Sequence, residues 1–212
     1  MQTLDWAEYT KFFLALLVIV NPLGAVPTFV VMTAQASAEE RKHIAFVASV
    51  SVAIVLIVAA IGGQPLLAFF GITIASFKVG GAILILLLAI SMMHATPTRE
   101  TQTPEEAKEA VDKESVAVVP LAIPLLSGPG AISTTIIYAT ERSSLAHIGI
   151  LIACCVLMSL ATWGALRAAI PVSRWLGKTG INIAIRIMGL LLAAVAVEIF
   201  ASGVVVLLPG LK

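Results

Sequence analysis

The chain has 212 residues, of which 59% are hydrophobic and 12% charged, with a formal net charge of +1. Soluble domains carry roughly 45–50% apolar and about 25% charged residues, so a water-soluble globule is excluded and an integral membrane protein is expected. The near-neutral charge gives no electrostatic footprint for nucleic acid.

The chain opens MQTLDWAEYTK, with Asp5 and Glu8 ahead of the first apolar run. A signal peptide would carry a basic segment there, so the run from Phe12 is expected to be retained. A spanning helix needs roughly 20 apolar residues. Six segments qualify: 11–34, 44–62, 74–94, 116–139, 145–170 and 183–207. GGQPLLAFFGITIAS joins the second to the third, and a polar stretch from His94 to Ser115 joins the third to the fourth. The expected organisation is a first three-helix unit over 1–95, a linker over 96–115 on the cytoplasmic side, and a second three-helix unit over 116–212. Counting Lys and Arg across the connections gives eight on one side and three on the other. The richer side is read as cytoplasmic, and both termini then face outward.

The first span contains IVNPLGAVP, with Asn21, Pro22, Gly24 and Pro27 where a spanning helix should be regular. The fourth contains Ser127-Gly128-Pro129-Gly130. The two halves align around these breaks. GAVPTFVVMTA from Gly24 lies over GAISTTIIYAT from Gly130, and SFKVGGAILILLLA from Ser76 over AIRIMGLLLAAVAV from Ala184, at offsets of 106 and 108. Lys78 falls on Arg186 and Gly81 on Gly189. With three spans in each half, the second inserts upside down. The expected fold is therefore an all-α membrane protein with six transmembrane helices in two inverted three-helix repeats, the first and fourth helices broken. Such repeats place substrate at mid-membrane between the halves.

In hydrocarbon, a break is tolerated where it is buried in protein or lines a wet cavity. Half-helices starting near Gly24 and Gly130 direct N–H groups and partial positive charge inward, and the preceding halves end in free carbonyls. That pairing suits a zwitterion. The expected substrate contacts are Asn21, Pro22, Gly24, Ser127, Gly128 and Gly130, with hydroxyls from Thr28, Ser133 and Thr134. Lys78 and Arg186 are candidates for lining the mouths of a pathway or bracing the breaks, with snorkelling to the interface as the plain alternative. Glu198, deep in the last span, is a candidate for proton coupling. His94 and His147 are read as interfacial, and Trp163 and Trp175 as belt residues. Gly80, Gly81, Gly164 and Gly189 are read as close-packing sites between helices. Cys154 and Cys155 are neighbours that do not bridge, and no Cys/His spacing suggests a metal. No catalytic motif, metal or cofactor is expected.

At NPLGAVP (21–27), FGITIASFKVGG (70–81), VVPLAIPLLSGPGAIS (118–133) and GINIAIRIMGLLL (180–192) the chain resembles the MarC family of bacterial inner-membrane proteins, along nearly its whole length. The resemblance implies six spans, a bacterial inner membrane, and transport of small neutral amino acids such as glycine and alanine, exported or exchanged, with coupling to a proton or sodium and homo-oligomerisation left open. The competing readings are a scaffold or lipid-headgroup-handling protein, in which Lys78 and Arg186 meet phosphate, and a drug exporter. The lack of acidic and aromatic residues in most spans argues against a site for cationic drugs.

Overall fold

The computed structural model describes residues 6–94, 126–142 and 144–209. Among them all regular structure is helical: α1 (Trp6–Val20), α2 (Pro22–Met32), α3 (Ala38–Phe69), α4 (Ile74–His94), α5 (Pro129–Thr140), α6 (Leu145–Arg167) and α7 (Ala169–Leu207). Five stretches are long and apolar enough to cross a membrane: Trp6–Met32, which joins α1 to α2, then Ala38–Phe69, Ile74–His94, Leu145–Arg167 and Thr179–Leu207. The expected fourth span shows only its second part. The twelve residues of α5 cover about 18 Å at 1.5 Å per residue, well short of a hydrocarbon core of about 30 Å. Residues 116–125 and the 96–115 linker lie outside the described residues.

Local sequence sets most helix boundaries. Ser37 starts α3 with a capping box: its hydroxyl accepts from the Glu40 N–H at 3.2 Å, and its own N–H donates to Glu40 Oε2 at 2.7 Å. The helix therefore begins six residues before the expected 44. It also runs on through Gly62-Gly63-Gln64-Pro65 to Phe69, which corrects the reading of that stretch as a connection. Close packing explains the persistence: a Cβ at Gly63 would fall 2.4 Å from Ile136 of α5, so the glycine permits helix contact rather than a turn. The real turn comes at Gly71, with φ +66°. There Ile72 N–H donates to Leu67 at 2.9 Å and Gly71 N–H to Ala68 at 3.1 Å, a Schellman closure. The expected connection after Arg167 is also mostly helical: α7 starts at Ala169 and bends at Gly177 (φ 61°, ψ 179°) before the final span.

Both chain directions are fixed by contacts at the ends. Glu8 of α1 pairs with Arg142 after α5, and Lys78 near the start of α4 pairs with Glu141. A Cβ at Gly203, late in α7, would lie 3.0 Å from the Ala75 carbonyl. The start of α1, the α3–α4 turn, the α5–α6 turn and the end of α7 thus share one end of the molecule. At the other end, residues 30–41 meet the first turns of α7. So α2 and α5 run towards opposite ends.

Helix α2 packs on α6 and α7, and α5 packs on α3 and α4; α3 lies against α6, and α4 against α7. This set of interfaces is unchanged when α2, α3 and α4 are exchanged for α5, α6 and α7. The core runs along the middle, with Phe12, Leu16, Leu56, Ile85, Ile137, Leu151, Met158 and Leu192 sealed within it. Outward faces stay apolar, including Ile54, Val58 and Ile61 on α3 and Ile83, Leu87 and Ile90 on α4. Helices apolar all round are the pattern of a membrane span. Gly81 and Gly189 are close-packing sites, against Ser133 and the Ala89 carbonyl, but Gly80 and Gly164 face open space and are not.

Candidate mid-membrane site

At the first break the chain is interrupted by a single residue. Asn21 adopts the left-handed conformation (φ 46°, ψ 63°) and caps α2. Asn tolerates this region better than most L-residues because its short amide can bond locally. Here Oδ1 accepts from the Gly24 N–H at 3.1 Å, and the Asn21 carbonyl accepts from Gly24 and Ala25 at 3.0 and 3.3 Å. Both reading frames of the helix suffer. Pro22 has no N–H for the Val18 carbonyl, Pro27 has none for Leu23, and the Gly24 N–H is diverted from Val20. This break therefore leaves carbonyls of the preceding turn without their helical donors, and Asn21 takes the Gly24 and Ala25 N–H groups, while the Leu23 N–H has no acceptor among the described residues. Part of the donor set expected at the Gly24 end is thus met from within the chain. The amide folds so closely over Gly24 that an added Cβ would meet Nδ2 at 2.2 Å.

The second break is built differently. Gly128 caps α5 in an extended conformation (φ −62°, ψ 175°) and supplies no side chain. Its carbonyl accepts from Ala131 at 3.0 Å and Ile132 at 3.2 Å. Pro129 has no N–H, and the Gly130 N–H has no acceptor among the described residues. Beside it, Ser127 and Thr134 are 1% and 0% exposed, and neither hydroxyl has a partner among the described residues. Five other buried Ser and Thr hydroxyls are paired among the described residues. Thr33, Ser49, Thr135 and Thr162 donate to the carbonyl four residues back, and Ser159 donates across to the Ser49 carbonyl of α3 at 2.7 Å. An unpaired buried hydroxyl costs about 1–3 kcal/mol, so these two, within the first turns of α5 and just before it, are candidates for polar ligand contacts.

The breaks adjoin through Ile19. A Cβ at Gly130 would lie 3.4 Å from Ile19 Cγ2 and 3.5 Å from Ile85 Cγ1. The start of α5 is thus packed against the last turn of α1, two residues before Asn21, with α4 on its other side. Ser133 faces Gly81 of α4, where an added Cβ would sit 2.9 Å from the Ser133 Cβ. Pro22 is buried, and Asn21, Gly24, Thr28 and Gly128 are half-buried. At α2 and α5 about 17 and 18 Å long, each half-helix reaches roughly half of the hydrocarbon thickness.

The charged candidates sit away from this centre. Lys78 reaches Glu141 at 3.4 Å, beyond the last turn of α5. Arg186 and Glu198 are exposed on α7. The aligned pair Lys78 and Arg186 therefore occupy unlike settings. Sequence reasoning missed the network above the site. His147, read as interfacial, is 1% exposed. Its Nε2 lies 2.9 Å from the Tyr138 carbonyl, which requires a proton on that nitrogen, and its Nδ1 then accepts from the Tyr9 hydroxyl at 3.0 Å. Phe12 stacks obliquely on Tyr138 at 5.0 Å. These contacts bind α1 to α5 and α6. No sequence signal distinguishes such a histidine, because its partners are 138 residues away and a backbone carbonyl.

Comparison with known proteins agrees that this is an integral membrane protein. The family model for MarC family integral membrane proteins matches residues 6–208. The chain is 40% identical to the UPF0056 membrane protein YhcE of Escherichia coli over 98% of this chain and 96% of that protein. It is 42% identical to a UPF0056 membrane protein of Buchnera aphidicola over the same shares, and 36% identical to one from Aquifex aeolicus over 94% of this chain and 96% of that one. No solved structure matches. Matched from its first described helix almost to its last residues, the chain belongs to the MarC family of integral membrane proteins.

Proposed function

We propose that this protein carries small neutral amino acids, such as glycine or alanine, across the bilayer by alternating access, as an exporter or exchanger rather than an enzyme. The observation that carries the reading is the pairing of an uncapped helix start, flanked by two unpartnered buried hydroxyls, with a neighbouring break rich in undonated carbonyls. The substrate carboxylate takes the Gly130 N–H and the Ser127 and Thr134 hydroxyls. The substrate ammonium takes carbonyls of Val18, Val20 and Leu23 beside Asn21. Helix dipoles favour this polarity at both places. Pro22 and Thr28 shape the α2 side, and Gly128 and Ser133 the α5 side. Ile19, Ile85 and Leu88 pack around Gly130 and make the surroundings of this helix start aliphatic.

The exchangeable set of helix interfaces and the opposed directions of α2 and α5 support two inverted three-helix repeats, with a sixth span completed before α5. In such carriers one repeat rocks against the other around a fixed site. The Lys and Arg distribution supports an inner-membrane orientation with both termini periplasmic. Protons or sodium are the candidate coupling ions, with Glu198 the acidic group in the last span, and homo-oligomers are compatible with the apolar outer faces.

The test is flux of labelled glycine and alanine into proteoliposomes, with and without a proton or sodium gradient. Wild-type protein is expected to exceed empty liposomes, and Thr134→Val to fall about tenfold, the loss of one hydrogen bond to a charged group. Absence of flux for both amino acids under every gradient would overturn the reading.

A further inference from the structure

A second site lies at the opposite end from the Glu8–Arg142 pair. An open pocket of about 260 Å³ is lined by Val30, Thr33 and Ala34 in and just after the last turn of α2, Arg41 of α3, and Ile170, Ser173 and Arg174 of α7. The last three are spaced i, i+3 and i+4, so they share one helix face. Arg41 donates Nε and Nη2 to the Ala36 carbonyl at 3.0 and 2.8 Å, which fixes its guanidinium against the α2–α3 turn. Two of five N–H bonds are thereby used, and three remain. Neither Arg41 nor Arg174 has a carboxylate partner among the described residues. Of the two acids on the same turn, Glu39 is paired with Lys42 at 2.6 Å and Glu40 accepts from the Ser37 N–H at 2.7 Å. Two arginines, one serine and apolar residues thus line one pocket between the two halves of the chain.

We propose that this pocket binds the phosphate of an anionic phospholipid headgroup. Guanidiniums recognise phosphate oxygens through paired N–H bonds. Basic pockets between spans are recognised headgroup sites. The lipid source is favoured over a free anion by the setting. Val30, Ala34 and Ile170 give the pocket an apolar lining, and Trp175, next to Arg174, is 87% exposed, as suits a ring at the membrane interface. The volume is below the roughly 300–1,000 Å³ of sites that enclose a whole small molecule, so the headgroup enters while the acyl chains stay outside along α2 and α7. Because the pocket joins residues 30–41 to 170–174, an occupant ties the first half of the chain to the second.

The purified full-length protein in detergent tests this by native mass spectrometry with phosphatidylglycerol, phosphatidylcholine or inorganic phosphate. Retention of phosphatidylglycerol over phosphatidylcholine is expected, with about a tenfold weaker affinity in Arg41→Gln/Arg174→Gln. Because Arg41 also holds the α2–α3 turn, Ser173→Val/Arg174→Gln supplies a second variant that leaves that contact intact, and the same direction of loss is expected. Arg167→Gln, at the same end but outside the pocket, is expected to bind like wild type. Equal retention of both lipids, unchanged affinity in both double variants, or an equal loss in Arg167→Gln would overturn the site. Displacement of the lipid by millimolar inorganic phosphate would overturn the lipid assignment in favour of a soluble anion.

Discussion

The Asn21 break and the Gly128 break interrupt equivalent places in the sequence and share one backbone pattern, each cap carbonyl accepting from the residues three and four further on, but they differ in the side chain at the cap. At Asn21 the amide takes the Gly24 N–H as well. At Gly128 there is no side chain to do so, and Ser127 and Thr134 beside it hold hydroxyls that the described residues do not pair. Near-symmetric sequence therefore yields two caps that differ in side-chain chemistry: an amide at the first, and buried hydroxyls without described partners at the second.

The largest expected effect separates backbone conformation from capping at Asn21. Asn21→Ala loses the cap and forces a Cβ-bearing residue without a local bond into the left-handed region, for a combined cost of about 2–3 kcal/mol. Asn21→Gly keeps the conformation at little strain and should cost only a few tenths. Thermal unfolding in detergent ranks the two, and equal melting temperatures would dissolve the distinction drawn between the breaks.

Next in size is the contrast between the two aligned glycines. Gly24→Ala drives a Cβ into the Asn21 amide at 2.2 Å and should displace it, losing about 1 kcal/mol with the cap. Gly130→Ala meets nothing closer than 3.4 Å and should fold almost as well as wild type. Leucine at either position is expected to abolish transport while leaving the protein inserted in the membrane, measured by flux alongside membrane fractionation. Normal transport by both leucine variants would remove the mid-membrane site.

A third series sharpens the assignment of the Gly128 side. Ser127→Ala and Thr134→Val delete hydroxyls that bond to nothing described, so stability should hold or rise by about 1 kcal/mol, while flux falls. A structural hydroxyl would give the reverse order, with stability lost first. The smallest effect is expected at the rim. Lys78→Met breaks a pair with Glu141 whose side chains are 19% and 35% exposed, which is worth no more than about 1 kcal/mol. A large loss of flux there with little loss of stability would move Lys78 from the rim into the pathway.

Much of this was legible in the residues. Ser37 and Glu40 spell the capping box that starts α3, although the apolar run alone placed the start at 44. Pro22, Pro27 and Pro129 mark both breaks, because a missing N–H is a property of the residue and needs no partner. The Gly62–Pro65 stretch misled for the opposite reason. Glycine and proline there look like a turn, and only the proximity of Ile136 shows that Gly63 serves helix contact. His147 gave no signal because its burial depends on Tyr9 and Tyr138, brought to it by α1 and α5.

Composition and the placement of Pro, Gly and Asn by themselves determined that the chain lives in a bilayer and where its helices must fail, since hydrophobicity and the loss of backbone donors are local properties. Which hydroxyls lack a described partner, which glycines serve helix contact, and which arginines share a pocket were decided by tertiary structure alone. Hydrogen-bond satisfaction is a matter of distance between groups far apart in the chain, and no spacing along the sequence encodes it.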